Sequence, residues 1–130
     1  MTEPDYLSII RERGSGALDK KMGIEITEVG HDYIRGTMPA DQRTFQPFGL
    51  VHGGANVVLA ETLGSVAANL LVDNSKFYCV GQEVNANHVR GVRSGKVTGT
   101  ATLWHAGKSS QVWNIELHDD QGKLTCISRL

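Results

Sequence analysis

Cysteine is almost absent from this 130-residue chain, which carries only Cys79 and Cys126. The two lie far apart in sequence, each in a strand-like segment, so a disulfide or zinc framework is not indicated and two buried thiols are the expectation. Charge of one sign is equally scarce. Thirteen Lys and Arg stand against 14 Asp and Glu, for a formal net charge of −1 and a pI near 6.5. That balance leaves no electrostatic footprint for nucleic acid and no polybasic membrane patch. No apolar run is both long and pure enough to span a bilayer. Met1 to Leu7 lack the basic and apolar regions of a signal peptide, so the expected compartment is the cytoplasm. His31, His105 and His118 show no metal-site spacing with a nearby Cys, Asp or Glu, so no metal is expected. The Gly-x-Ser-x-Gly elbow of serine hydrolases does not occur. Repeats and low-complexity tracts are also missing, and a single domain over residues 1–130 accounts for the length.

What the chain does have is a stretch that begins at Gln46-Pro-Phe-Gly-Leu-Val-His52-Gly-Gly-Ala55 and runs on in small and apolar residues to Val72. From Gly53 onward it contains no proline and few polar groups, which predicts a long helix wrapped by protein on most sides. Its one carboxylate, Glu61, is then out of place. An unpaired charge in such surroundings is expensive, so the residue calls for a partner or a task. Ser65 lies four residues further on, which stacks its hydroxyl beside that carboxylate on one helix face, where the two could share a water. His52-Gly53-Gly54 leaves the first helical N–H groups uncovered, a place suited to a developing negative charge.

Glu61 and Gly53 cannot serve one reacting group from the same straight helix. Eight residues separate them, about 12 Å along the axis, whereas a base and an oxyanion donor must both come within roughly 3–3.5 Å of the reacting atoms. Two copies packed antiparallel satisfy both. The spacing therefore predicts a homodimer with composite sites.

The rest of the chain supports an α+β domain. Residues 4–12 read as a short helix ending at the breaker Gly14-Ser-Gly16. Met22, Ile24 and Ile26 alternate with polar or small residues, and after Gly30-His-Asp32 a run from Tyr33 to Met38 predicts the second strand of a hairpin. Residues 39–51 read as a loop. Asp73-Asn-Ser-Lys76 ends the long helix. Beyond it, residues 77–92, 96–105, 109–118 and 123–130 read as strands separated by short turns, which predicts an antiparallel meander with the helix on its concave face.

Gln46 to Ala55, Leu59-Ala-Glu61-Thr-Leu-Gly-Ser65, Asn85-Ala-Asn-His-Val-Arg90 and Ser110-Gln-Val-Trp113 together resemble the hotdog-fold acyl-CoA thioesterases. The similar branch contains the 4-hydroxybenzoyl-CoA and 1,4-dihydroxy-2-naphthoyl-CoA types and the enterobactin-pathway proofreading enzymes. The resemblance covers nearly the whole chain, although the last strand stops at Leu130, earlier than expected. It implies a sheet wrapped around one long helix, an acyl-CoA substrate, no cofactor beyond water, and homodimers assembled into a homotetramer.

Carried over by position, Glu61 would be the nucleophile or the general base. The Gly53 N–H would polarise the thioester carbonyl, Gln46 would hold the same region, His52 would assist at the thioester and Ser65 would orient water or substrate. A smaller role remains open for each: glycine for close packing, His52 for holding its loop, Ser65 as a small packing residue. Arg90, with Arg93 and Lys108, could meet the phosphates of coenzyme A. Ser109 and Ser110 could meet pantetheine or nucleotide, His88 could line the acyl pocket or interface, and Val66 and Asn69 would set pocket volume. A dehydratase on this fold would need a histidine near Pro47, where none occurs. A protein that binds acyl groups without chemistry would carry a damaged motif, and Gln46, His52, Gly53, Glu61 and Ser65 are all present.

Overall fold

A computed structural model describes residues 5–130. Helix α1 (Tyr6–Arg13) starts at Asp5, whose side chain accepts from the Ser8 N–H. Residue 4, where the sequence starts this helix, lies outside the described residues. A second short helix, α2 (Ala17–Met22), follows and ends on Gly23 in the left-handed region at φ 73°. The alternation read from Met22 is therefore corrected: Met22 closes a helix, and β1 begins at Glu25. Ala17-Leu-Asp-Lys-Lys-Met is made of good helix formers except for Asp19, with glycine at the stop. Thr62 Oγ1 donates to Asp19 Oδ1 at 2.7 Å, tying α2 to the long helix.

β1 (Glu25–Val29) and β2 (Tyr33–Pro39) form the expected hairpin. The long helix, α3, spans Gly53–Leu70, and β3 (Asn85–His88), β4 (Lys96–Ala106), β5 (Gln111–His118) and β6 (Leu124–Arg129) complete one six-stranded sheet. Its order is β1-β2-β4-β5-β6-β3, and all these pairings are antiparallel.

This order corrects the meander. The strand read over residues 77–92 shrinks to Asn85–His88, and it pairs with β6 at the far edge rather than with β4. Residues 89–95 cross the end of the sheet instead of turning tightly. The Val51 N–H donates to Val92 O and the Ala40 N–H to Gly95 O, so this crossing segment is fixed to the loop ahead of α3. β4 is thereby delivered beside β2.

α3 lies across the sheet on one stripe, with Ala55, Leu59, Ala60, Leu63, Gly64, Ala67 and Ala68 buried. They meet Ile34, Met38, Val97, Ala101, Ile115 and Leu117 from the strands. Leu63 fits a notch left by Gly36 and Gly99, which are paired across β2 and β4; a Cβ on either glycine would come within 2.8 Å of a Leu63 methyl. Glycine here permits the close helix–sheet approach that a side chain would block. The opposite face, with Glu61, Thr62, Ser65 and Val66, is only half-buried. In the single chain the helix is covered on one side, not on most.

Candidate active site

The residues singled out from the sequence separate into two groups at different levels of α3. At its start, the chain reaches the helix through a bridge between Phe45 and Val51, inside which Gly49 turns at φ 77°. The Gln46 side-chain oxygen accepts from the Phe48 N–H, so Gln46 closes its own loop. His52 caps the helix. Its Nδ1 accepts from the Gly54 N–H at 2.8 Å while its carbonyl accepts from Ala55 and Asn56. The Gly54 N–H is thus occupied, and the Gly53 N–H finds no acceptor among the described residues. The ring of His88, from β3, lies over Gly53: a Cβ there would be 2.9 Å from His88 Nε2. A side chain at 53 would push that ring aside. This first group combines a free N–H at a positive helix end with two imidazoles.

Two turns further on, Glu61 and Ser65 face the same side, half-buried. Against the Glu61 carboxylate lies Gly81, from the irregular segment that returns after α3; a Cβ on Gly81 would collide with Glu61 Oε2. Asn69 fastens that segment. Its Oδ1 accepts from the Cys79 N–H at 2.7 Å, and its Nδ2 donates to Cys79 O at 3.0 Å and to Ser65 O at 2.9 Å. Asn69, expected to set pocket volume, spends its amide on the backbone that brings Gly81 to Glu61. Val66 packs against the core.

A cavity of about 690 Å³ opens beside this second group. Ser65, Ala68, Tyr78, Gly81, Ser109 and Ser110 line it, with Lys76, Lys108 and Arg129 also on its wall. Ser65, Ser109 and Ser110 therefore share one cavity wall. Glu61 is not on its wall and adjoins it through Gly81. Arg90, His88 and Val66 are outside it. The Arg90 N–H donates to Thr125 O, and its side chain is exposed.

Two carboxylates stiffen the flanking loops. Asp41 is held below the usual carboxylate range by hydrogen bonds from the Arg43 side chain and backbone. Asp73, just past α3, is lowered by the Ser75 hydroxyl and N–H. Burial pushes the Cys126 thiol up, which removes it as a nucleophile. Cys126 is buried as expected, but Cys79 is only half-buried, because its segment is not a strand.

Gly81, against the Glu61 carboxylate, and Asn56, whose side-chain amide faces the His88 ring, were not singled out from the sequence. Gly81 reads as one more breaker. Asn56 had a signal: it is a polar residue on the buried stripe, between Ala55 and Leu59. Gly81→Ala is expected to lower activity about tenfold or more by pushing the carboxylate aside, with an unfolding midpoint close to that of the unaltered protein. The obstructing atom is the far end of a flexible side chain, so the fold can yield where the chemistry cannot. A parallel loss of stability and activity would assign Gly81 to folding alone.

One six-stranded antiparallel sheet laid against one long helix is the hotdog fold. The thioesterase superfamily matches over residues 48–126, and the chain belongs to that family. A Vibrio cholerae protein named as an esterase is 53% identical over 128 residues, covering 98% of this chain and 85% of that one. The 1,4-dihydroxy-2-naphthoyl-CoA hydrolase of Escherichia coli is 47% identical over 124 residues, covering 95% and 90%. Among solved structures, a mutant thioesterase of Pseudomonas aeruginosa superposes with a TM-score of 0.89 at 48% identity, covering 99% of this chain and 92% of that one. The protein is a thioesterase. No helix of the described residues is long and apolar enough to cross a membrane.

Proposed function

We propose that the protein hydrolyses an aromatic acyl-CoA thioester to the free acid and coenzyme A, in composite sites shared by two copies of the chain. The observation that carries this reading is the position of Glu61. It is the one carboxylate of α3, half-buried, with Gly81 against it and a serine-lined cavity alongside. Either Glu61 attacks the thioester carbon to form an acyl anhydride that water then cleaves, or it takes a proton from an attacking water. In both routes the C–S bond breaks, CoA leaves as the thiol, and charge accumulates on the carbonyl oxygen. That oxygen is matched to the Gly53 N–H of the other copy.

Exposed apolar surface supports the pairing of two chains. Phe77, Tyr78 and Val80 of the return segment are exposed next to the Glu61 face, and β3 is a sheet edge with open backbone groups. Antiparallel contact along this edge and face is the arrangement in which Gly53 and Glu61 of opposite copies can meet. Homotetramers would be pairs of such dimers. Lys76, Lys108 and Arg129 around the cavity suit the phosphates of CoA, with Ser109 and Ser110 as hydrogen-bonding groups. No cofactor takes part, and the setting is the cytoplasm. The relative from E. coli, whose name specifies a bicyclic aryl-CoA, supports the aromatic acyl group. Proofreading of aryl groups on a carrier protein is the second reading, since the same chemistry would act on a pantetheine arm without the nucleotide.

The test is release of free thiol from 1,4-dihydroxy-2-naphthoyl-CoA, 4-hydroxybenzoyl-CoA, phenylacetyl-CoA and a long-chain acyl-CoA. Faster turnover of the aryl thioesters is expected. A long-chain preference would remove the aromatic assignment, and no turnover of any thioester by the folded protein would remove the activity.

A further inference from the structure

Asn56 belongs to the first turn of α3, is 5% exposed, and has no part in the chemistry described so far. Its Nδ2 lies 3.3 Å from Nδ1 of His88. Its Oδ1 is buried with no hydrogen-bond partner among the described residues. A core-facing position with an orphaned oxygen is poorly served by an amide if packing is the only demand, because an apolar residue avoids the desolvation. The contact with His88 is what the amide supplies.

That contact selects the state of the imidazole. A neutral ring has one N–H and one bare nitrogen, and the partner of one nitrogen decides the role of the other. With the Asn56 NH₂ facing it, Nδ1 must accept, so the ring proton resides on Nε2. Turning the amide over would aim Oδ1 at Nδ1 and bury the NH₂ without an acceptor, and buried N–H groups are left unpaired less readily than carbonyl oxygens. Nε2 is the nitrogen that lies over Gly53. His52 has its own Nδ1 committed in the same sense, to the Gly54 N–H.

We propose that Asn56 is a positioning residue that holds His88 in its Nε2-protonated tautomer, so that His88 presents a second N–H beside that of Gly53 to the thioester carbonyl oxygen. The proposal rests on the reading of Gly53 as the oxyanion donor. It makes the polarising site a two-donor site, one N–H from the start of α3 and one from the edge strand β3. A bare Nε2 at the same place would repel the developing charge.

Asn56→Asp tests it with almost no change of shape, because a carboxylate can only accept and draws the ring proton onto Nδ1. Long-range ¹H–¹⁵N spectra report which ring nitrogen carries the proton, at a pH where the imidazole is neutral, with the His88 signals identified by their absence in His88→Gln. The expected result is protonation on Nε2 in the unaltered protein and on Nδ1 in Asn56→Asp, with kcat lowered about tenfold or more and KM nearly unchanged. Should Asn56→Asp fail to fold, Asn56→Ala carries the kinetic comparison, and the spectrum of the unaltered protein still decides the tautomer. A proton on Nδ1 in the unaltered protein overturns the proposal, as does an unchanged kcat in the folded variants. Failure of the thioesterase reading is distinguishable, since it appears as no turnover by the unaltered protein whatever the spectrum reports.

Discussion

Glu61→Ala is expected to lower aryl-CoA hydrolysis by about 10²–10⁴-fold and to leave the unfolding free energy within about 0.5 kcal/mol of its starting value. The two halves of that expectation have separate causes. The carboxylate enters none of the ion pairs among the described residues and no hydrogen bond there holds it, so its removal strands no partner. Alanine is the best helix former, and position 61 is on the half-buried face of α3 rather than the stripe that meets the sheet. Stability therefore has little to lose. Turnover loses its oxygen nucleophile or its proton acceptor, for which neither Ser65 nor Gly81 can substitute. The measurement pairs initial rates of thiol release with urea unfolding of the same preparations. Equal rates would dismiss Glu61 from the chemistry, and a large loss of stability would make it a structural acid.

Much of this was legible in the sequence because it is local. Period and punctuation fix the β1–β2 hairpin, and His52-Gly-Gly marks the start of α3 at the residue where it begins. Asp73-Asn-Ser-Lys76 marks its end, with the helix stopping at Leu70. The β4, β5 and β6 segments read correctly to within a few residues, since their turns carry Gly107, Gly122 and acid-rich stretches. What was not legible depends on partners distant in sequence. Alternation reveals that Asn85–His88 is extended but not that it pairs with β6 instead of β4. That choice follows from the hold of Val51 on Val92 and of Asn69 on Cys79, neither of which has a periodic signature. The site divides in the same way. Gly53, Glu61 and Ser65 are spaced along one helix and can be counted, whereas Gly81 enters from another element, and His88, named from its motif, has no spacing that places it over Gly53.

Mixing two inactive chains is expected to restore activity to about a quarter of that of the unaltered protein. One chain carries Gly53→Val, whose side chain must displace His88, because even a Cβ there would lie 2.9 Å from its Nε2. The other carries Glu61→Ala. Along one α3 the two positions are about 12 Å apart, too far to act on one thioester, so each site needs Gly53 from one copy and Glu61 from the other. A mixed dimer then has one site with both defects and one with neither. Random exchange makes half of all dimers mixed, and half the sites in those are intact, which gives the quarter. Each variant is first shown by circular dichroism to fold, and mixed dimers isolated with two affinity tags should show about half the activity of the unaltered protein, since one site of their two is intact. If those dimers form and remain inactive, Gly53 and Glu61 do not serve a common site across the interface, and the oxyanion donor must be sought within reach of Glu61 in its own chain, where the return segment at Gly81 lies against the carboxylate.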